Sequence, residues 1–284
     1  KLNGGVIIEL EEIVKRIVSL IPDIDRDIEV PRTRSGNQYI PCVGTANEPT
    51  FVKRLMEEWA KKYPHELPGI VVKNRSPENP KGALEINYER GKNSRNNADL
   101  GITTNTSTFG NELEWIIEFK KIEFVGDIGG KSRHQEVAIA KMFSPFLSHT
   151  KGVLHDIDRI NKHYLGKRKA VIVYAFSLDE EIVNNANSHP RRREQIHPEK
   201  TIDRGEQYEK LMKSAKNQPF CLEPMLTPFE TMCKERGYEL GDRVHDRFRG
   251  LQTHPVYVQG DFVAWEVLGN IDSTSKNITI FDYE

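Results

Sequence analysis

The sequence has few cysteines, no long apolar segment and almost no net charge. Its 284 residues include three cysteines, Cys42, Cys221 and Cys233, and no Cys-x-x-Cys pair. This pattern favours neither a structural zinc site nor a disulfide framework, so we expect a reducing, cytoplasmic environment. No stretch approaches the about 20 apolar residues that a membrane helix needs. Lys and Arg total 41 and Asp and Glu total 42, and the net charge of −1 excludes a histone-like basic protein.

Several common catalytic and metal-binding motifs are also missing from the sequence. The nine histidines include no His-x-x-x-His spacing, so metal ligation by histidine is not predicted. The sequence contains no Gly-x-Ser-x-Gly nucleophile motif and no kinase signature. The glycines of residues 126–130 do not have the spacing of a phosphate-binding or dinucleotide-binding loop.

Apolar periodicity predicts helices that alternate with strands. Pro22 is expected to end the first helix, and Thr50 is expected to cap the second. The run from Lys169 to Phe176 is continuously apolar and β-branched, which is typical of a strand buried on both faces. The predicted helices span residues 8–21, 50–63, 134–143, 153–164 and 227–236, and the predicted strands span residues 69–73, 83–90, 98–103, 113–125, 169–176 and 262–268. This order predicts an α/β protein with a mixed sheet and helices on its faces.

The most informative segment is the strand of residues 114–124, in which Glu118 and Lys120 stand between apolar neighbours. Residues two apart in a strand share a face, so these two charged side chains are expected side by side. Burying an unpaired charge costs several kcal/mol, and something must offset that cost.

Two interpretations of this pair remain open. In the first, Glu118 and Lys120 form an ion pair at a sheet edge and neutralise each other. In the second, they belong to a hydrolytic metal site, where a carboxylate holds Mg²⁺ and the ammonium lies near the scissile phosphate. Asp99 favours the second interpretation, because a hairpin can place it beside Glu118, and converging carboxylates repel unless a cation joins them.

The order of helix, strand, strand with Asp, strand with Glu-x-Lys, helix and buried strand resembles the PD-(D/E)XK nuclease superfamily, the fold of type II restriction enzymes. The match consists of Asp99 and of Glu118-Phe119-Lys120, and it covers roughly residues 50–177. Ala98 stands where the family name has proline. The resemblance implies a restriction endonuclease-like mixed sheet flanked by helices, with additional N- and C-terminal elements.

The resemblance also implies a function, that of a Mg²⁺-dependent endonuclease acting on double-stranded DNA. Asp99 and Glu118 would bind the metal, and Lys120 would orient or help to deprotonate the attacking water and stabilise charge on the phosphorane. Water would attack phosphorus in line and leave a 5′ phosphate. A type II restriction-like enzyme is expected to be a homodimer, because a two-fold DNA site is read by a two-fold protein.

Three parts of the chain are predicted to have different roles. Residues 1–49 form an N-terminal helix and loop, and residues 50–177 form the nuclease core. Residues 178–284 supply a polar insertion and C-terminal elements for DNA contact or dimerisation. The insertion is predicted because residues 179–219 have almost no apolar periodicity.

An additional carboxylate from the preceding helix is expected at the metal site. Glu58 flanks the apolar stripe of that helix and is the candidate, although a solvated helix charge also explains it. Glu85, on a polar strand face, is an alternative of similar weight.

Basic residues are candidates for DNA binding. Lys131 and Arg133 lie at the start of a helix, where the dipole does not favour cations, and this placement indicates a phosphate contact. Arg243 and Arg247 share a face if their segment is helical. The densest basic cluster predicts phosphate contacts as strongly as it predicts a solvated loop, and it consists of Arg191, Arg192 and Arg193.

Two other functions stay open on sequence grounds. The chain could be a non-catalytic nucleic-acid-binding protein with a nuclease-like fold. It could also be an unrelated α/β protein in which Glu118 and Lys120 form a structural ion pair, and the near-neutral net charge mildly favours this alternative.

Overall fold

The structure is a computed structural model that describes residues 8–29, 40–63, 71–73, 99–103, 114–124, 134–144, 152–163, 167–186, 188 and 220–270. Its helices are α1 (Leu10–Asp27), α2 (Glu48–Lys62), α3 (His134–Phe143), α4 (Val153–His163), α5 (Glu180–Ala186) and α6 (Glu223–Glu235). Its strands are β1 (Val71–Lys73), β2 (Leu100–Thr103), β3 (Trp115–Ile122), β4 (Arg168–Phe176), β5 (Tyr238–Leu240), β6 (Val244–Phe248) and β7 (Gly260–Asn270). None of these helices is long and apolar enough to cross a membrane.

The strands form one mixed sheet, which confirms the predicted α/β class. Six strands follow in the order β1-β2-β3-β4-β7-β5, and β6 also pairs with β7. Strands β3 and β4 are parallel, whereas the other pairs are antiparallel. A parallel pair needs a crossover, and α3 and α4 lie between β3 and β4 in the chain.

The two faces of the sheet are covered by different helices. Phe51 of α2 contacts the rings of Phe119 and Tyr174 on one face. On the other face, α4 packs on β3 and β4, and Phe229 of α6 packs on Trp265 of β7. From Ala170 to Phe176 every residue of β4 is buried, so the prediction of a strand covered on both sides is confirmed.

Helix α1 is longer than predicted, because it continues through Pro22 to Asp27. An interior proline removes a backbone hydrogen bond and costs about 3 kcal/mol. Beyond the proline, Ile24 is fully buried, and buried Asp25 accepts a hydrogen bond from the Val43 N–H at 2.9 Å. Burying an isoleucine contributes about 1.5–3 kcal/mol, which offsets much of the proline's effect. The prediction that Pro22 ends this helix is wrong.

Helix α2 begins at Glu48 and is capped by Asn47, not by Thr50 as predicted. Asn47 Oδ1 accepts the hydrogen bond of the Thr50 N–H at 2.9 Å. Pro49 follows in the first turn, where its missing N–H costs nothing. The earlier start puts Glu48 in the first turn, where the helix dipole favours a carboxylate.

The C-terminal part of the chain completes the same sheet. Strand β7 pairs with β4 from Gly260 opposite Phe176 to Glu266 opposite Ala170. The segment that contains Arg247 is strand β6, so the helix that would put Arg243 and Arg247 on one face is not formed. Residues 220–270 therefore contribute to the core as well as to the periphery.

Candidate active site

The pairing of β2 with β3 brings the two predicted metal ligands together. Leu100 lies opposite Ile117 in this antiparallel pair, so the next position in the register sets Asp99 opposite Glu118. Opposite residues in such a pair have β-carbons about 4.5–5.5 Å apart. The two carboxylates lie within hydrogen-bonding reach of each other. The backbone of β3 also holds the Asp99 side chain, because Asp99 Oδ2 accepts a hydrogen bond from the Phe119 N–H at 2.8 Å.

Glu118 is almost completely buried, with 1% of its surface exposed. Its Oε2 lies 2.6 Å from Nη2 of Arg159, which belongs to α4. Its Oε1 is buried and receives no hydrogen bond from the described residues. An unsatisfied buried acceptor costs free energy, so a cation or a proton at Oε1 would stabilise the site.

Burial raises the pKa of both carboxyl groups. It raises the pKa of Glu118 well above the ordinary value of 4.5, and the charge of Asp99 adds to the effect of burial. Burial also raises the pKa of Asp99 above 3.8, although the hydrogen bond from the Phe119 N–H acts in the opposite direction. Two adjacent carboxylates in a buried site favour a shared proton or a bound cation over two bare charges.

Lys120 lies on the same face of β3 and is held by carboxylates of two helices. Its Nζ is 2.8 Å from Oδ2 of Asp156 in α4 and 3.6 Å from Oε2 of Glu48 in α2. Burial acts to lower the pKa of Lys120, but the Asp156 and Glu48 carboxylates outweigh burial and raise it. Lys120 is therefore an ammonium ion at neutral pH.

Glu48 reaches the site because the loop before α2 is tied to β3. Lys121 points to the opposite face from Lys120 and donates hydrogen bonds to the carbonyl oxygens of Gly44 and Ala46. The Lys121 backbone N–H donates to Glu48 Oε1 at 3.0 Å. Gly44 packs so closely on the ring of Tyr257 that a β-carbon there would collide with it. This loop thus positions the first turn of α2 beside β3.

The charged groups of the site alternate in sign along one continuous chain. Glu118 pairs with Arg159, Arg159 lies 3.3 Å from Asp156, Asp156 pairs with Lys120, and Lys120 lies near Glu48. Glu118 and Lys120 share a face of β3, yet each pairs with a residue of another element. The simple interpretation, in which these two neutralise each other, does not describe this arrangement.

The predicted outer ligand, Glu58, lies elsewhere on α2. It is buried and forms ion pairs with Arg54 and Lys61, each at 2.7 Å. Ten residues separate it from Glu48, which is about 15 Å along the helix axis. A helical wheel places Glu58 beside the apolar stripe but carries no information on position along the axis. Glu48 is the α2 carboxylate that the fold brings to Lys120.

Several predicted residues lie outside the part of the chain that the structure describes, and their roles stay predictions. They are Glu85, Lys131, Arg133, Arg191, Arg192 and Arg193. Of the second basic cluster, Arg243 lies 3.5 Å from Glu230, and Arg247 lies 2.8 Å from Asp261.

The carboxylates suit an open Mg²⁺ site better than a closed cage. Within the described ranges, no three His, Cys, Asp or Glu side chains are placed to hold a metal ion on their own. Mg²⁺ keeps several waters and is commonly held by one or two carboxylates together with substrate phosphates. Asp99 and Glu118 provide two carboxylates, and Glu118 Oε1 is without a hydrogen bond from any described donor. These residues fit a Mg²⁺ ion.

Sequence reasoning missed three members of the site, namely Glu48, Asp156 and Arg159. A signal for Asp156 was present, because it lies three residues after Val153 and four before Ile160, on the buried stripe of α4. A carboxylate in such a position predicts a buried cationic partner. Glu48 had no comparable signal, since its placement depends on the loop before α2.

No family model, curated protein or solved structure matches this chain. The geometry and charge of the site are therefore the features that indicate a function.

Proposed function

We propose that this chain is a Mg²⁺-dependent endonuclease that hydrolyses DNA phosphodiester bonds. The observation that carries the proposal is the convergence of Asp99 and Glu118, with the Lys120 ammonium on the same face of β3. Buried carboxylates with raised pKa values favour a shared proton or a bound cation, and a positioned ammonium next to them suits a reaction that builds negative charge on phosphate.

Each residue of the site would have a separate role in the reaction. Asp99 and Glu118 would hold the metal, which when bound supplies Lewis acidity and a water nucleophile at neutral pH. Lys120 is already protonated, so it acts by attracting negative charge on the phosphate and by orienting the water rather than by accepting a proton. The carboxylates of Glu48 and Asp156 lie 3.6 and 2.8 Å from the Lys120 ammonium.

A restriction endonuclease-like fold and a type II restriction-like role form part of the same proposal. Support comes from the sheet, in which the antiparallel strands β1 to β3 precede the crossover helices and the parallel strand β4. Double-stranded DNA is the proposed substrate and a homodimer the proposed assembly, with phosphate contacts from the predicted basic clusters. A cytoplasmic location belongs to this proposal.

The proposal is tested by incubating the protein with supercoiled plasmid and a mixture of genomic DNAs, methylated and unmethylated. We expect nicked or linear products in Mg²⁺, none in EDTA, and ends that carry 5′ phosphates at a recurrent sequence. Intact DNA throughout, with either Mg²⁺ or Mn²⁺, would contradict the proposed activity.

Glu48 and Glu58 provide a matched test of which α2 carboxylate serves the site. We expect Glu48→Gln to lower the cleavage rate about 10–100-fold, as is usual for residues that support a metal site. Gln can still accept the Lys121 N–H, so the loss reports the missing charge beside Lys120. Glu58→Gln should cleave saturating DNA at a rate within about twofold of wild type. Glu58 pairs with Arg54 and Lys61 and not with Lys120, so its replacement leaves the charges around Lys120 unchanged. Equal losses in both variants would contradict the assignment of Glu48.

A non-catalytic DNA-binding protein is the second candidate, and one observation favours it. Glu118, Asp156 and Glu48 each already lie within 4 Å of the Lys120 ammonium or the Arg159 guanidinium without a metal. On that interpretation the protein binds DNA equally well with EDTA and never nicks it. An unrelated α/β protein would bind DNA under neither condition.

A further inference from the structure

Helix α4 contributes an ion pair, buried at Asp156 and partly buried at Arg159, that contacts Lys120 and Glu118 of β3. Asp156 and Arg159 are three residues apart in this helix, and Asp156 is 1% exposed. Asp156 Oδ2 is 2.8 Å from Lys120 Nζ, and Asp156 Oδ1 is 3.3 Å from Arg159 Nη2. The same Arg159 nitrogen is 2.6 Å from Glu118 Oε2.

We infer that Asp156 is a positioning residue that holds the Lys120 ammonium at its working place in the reaction. This inference rests on the proposed function, since it assigns a role in that reaction. Asp156 is not itself a third metal ligand, because each of its oxygens faces a cationic side chain, Lys120 on one side and Arg159 on the other. It is also too deeply buried to touch DNA.

The ion pair restricts a side chain that is otherwise flexible. A lysine has a flexible four-carbon side chain, so an unanchored ammonium samples many positions. Glu48 is a weaker anchor, because it lies 3.6 Å away and already accepts the Lys121 N–H. Loss of the Asp156 charge should therefore lower the rate of the chemical step and leave DNA affinity unchanged.

The test is a double-mutant cycle on cleavage, with the purified full chain, Mg²⁺ and plasmid DNA. Asp156→Asn keeps the shape of the side chain and removes its charge, and it should lower kcat about 10–100-fold without a change in KM. In a Lys120→Ala background the same change should cost less than about twofold, because the direct contact of Asp156 with Lys120 has been removed and only the longer contact through Arg159 to Glu118 remains. Asp158→Asn is the control, since Asp158 lies on the same helix and bonds Tyr238 Oη at 3.0 Å.

The outcomes separate this inference from the proposed function. A wild-type protein that never cleaves DNA overturns the proposed function, and this inference with it. An active wild type with equal losses from Asp156→Asn in both backgrounds overturns the inference alone, because a structural role does not depend on Lys120. If Asp156→Asn does not fold, as judged by thermal unfolding, the cycle is run with Asp156→Glu, which keeps the charge but shifts the ammonium. Wild-type kcat in Asp156→Glu would likewise overturn the inference.

Discussion

Replacing Asp99 with asparagine is expected to abolish cleavage and to make the metal-free protein more stable. Asn keeps an oxygen for the Phe119 N–H, which Asp99 now binds at 2.8 Å. Its amide can donate a hydrogen bond to the Glu118 carboxylate, whereas two ionised carboxylates in this place repel. The site would gain about 1 kcal/mol from that bond and lose one of its two metal-binding charges.

Two measurements check this prediction. Cleavage should fall by at least about 10³-fold, since a bound metal supplies several kcal/mol to the transition state and each 1.36 kcal/mol is tenfold. The melting temperature without metal should rise by about 2–4 °C. Asp25→Asn is the matched control, because Asp25 is also buried, has a raised pKa through burial and accepts a backbone N–H, from Val43. It should retain cleavage, and a stable but fully active Asp99→Asn protein would contradict the site.

The same variant gives a pH dependence of known sign. A carboxyl group whose pKa is higher in the folded chain than in the unfolded chain binds more protons when folded, so stability falls as pH rises between the two values. For Glu118 this window starts near its ordinary value of 4.5 and extends upward. The metal-free wild type should lose stability across that window, and Asp99→Asn should lose less, because the charge next to Glu118 is gone. Added Mg²⁺ should stabilise the wild type most at the upper end. An identical pH profile for both proteins would contradict the coupling.

The part of the site that lies within the sheet could be predicted from the sequence. Glu118 and Lys120 are two residues apart in an apolar strand, and the period of a strand puts them on one face whatever the rest of the chain does. To predict that Asp99 lies beside Glu118, it was enough to assume that its strand pairs with β3 in the antiparallel direction and in the correct register. Both conditions are local, and local patterns are what a single sequence expresses best.

The part of the site that comes from helices could not be predicted in the same way. The position of Glu48 depends on the hydrogen bonds that the Lys121 ammonium donates to carbonyl oxygens of the loop before α2, and these bonds join residues far apart in the chain. Helix α1 illustrates the same limit, because Pro22 is a local stop signal that burial of Ile24 overrides. Tertiary packing decides both cases, and propensity scales do not contain it.

Replacing Lys120 with alanine is expected to lower cleavage about 10²–10⁴-fold, the usual cost of removing a positioned acid–base or charged group. The protein should also become less stable, because Asp156 loses its partner at 2.8 Å and breaking a buried ion pair costs about 3–5 kcal/mol. Lys169→Ala is the control. Lys169 lies on the neighbouring strand and bonds the Asn161 carbonyl at 3.2 Å, away from the carboxylates.

Loss of stability in Lys120→Ala does not by itself identify a nuclease, since a purely structural charge chain predicts it as well. Metal binding and cleavage separate the two interpretations. In a nuclease, Lys120→Ala should still be stabilised by Mg²⁺ in thermal unfolding, because Asp99 and Glu118 remain, whereas Glu118→Ala should lose that stabilisation together with cleavage. A structural chain predicts no Mg²⁺ effect in the wild type or in either variant. If the wild type cleaves DNA and Lys120→Ala cleaves equally fast at a temperature where both are folded, the role assigned to Lys120 is wrong.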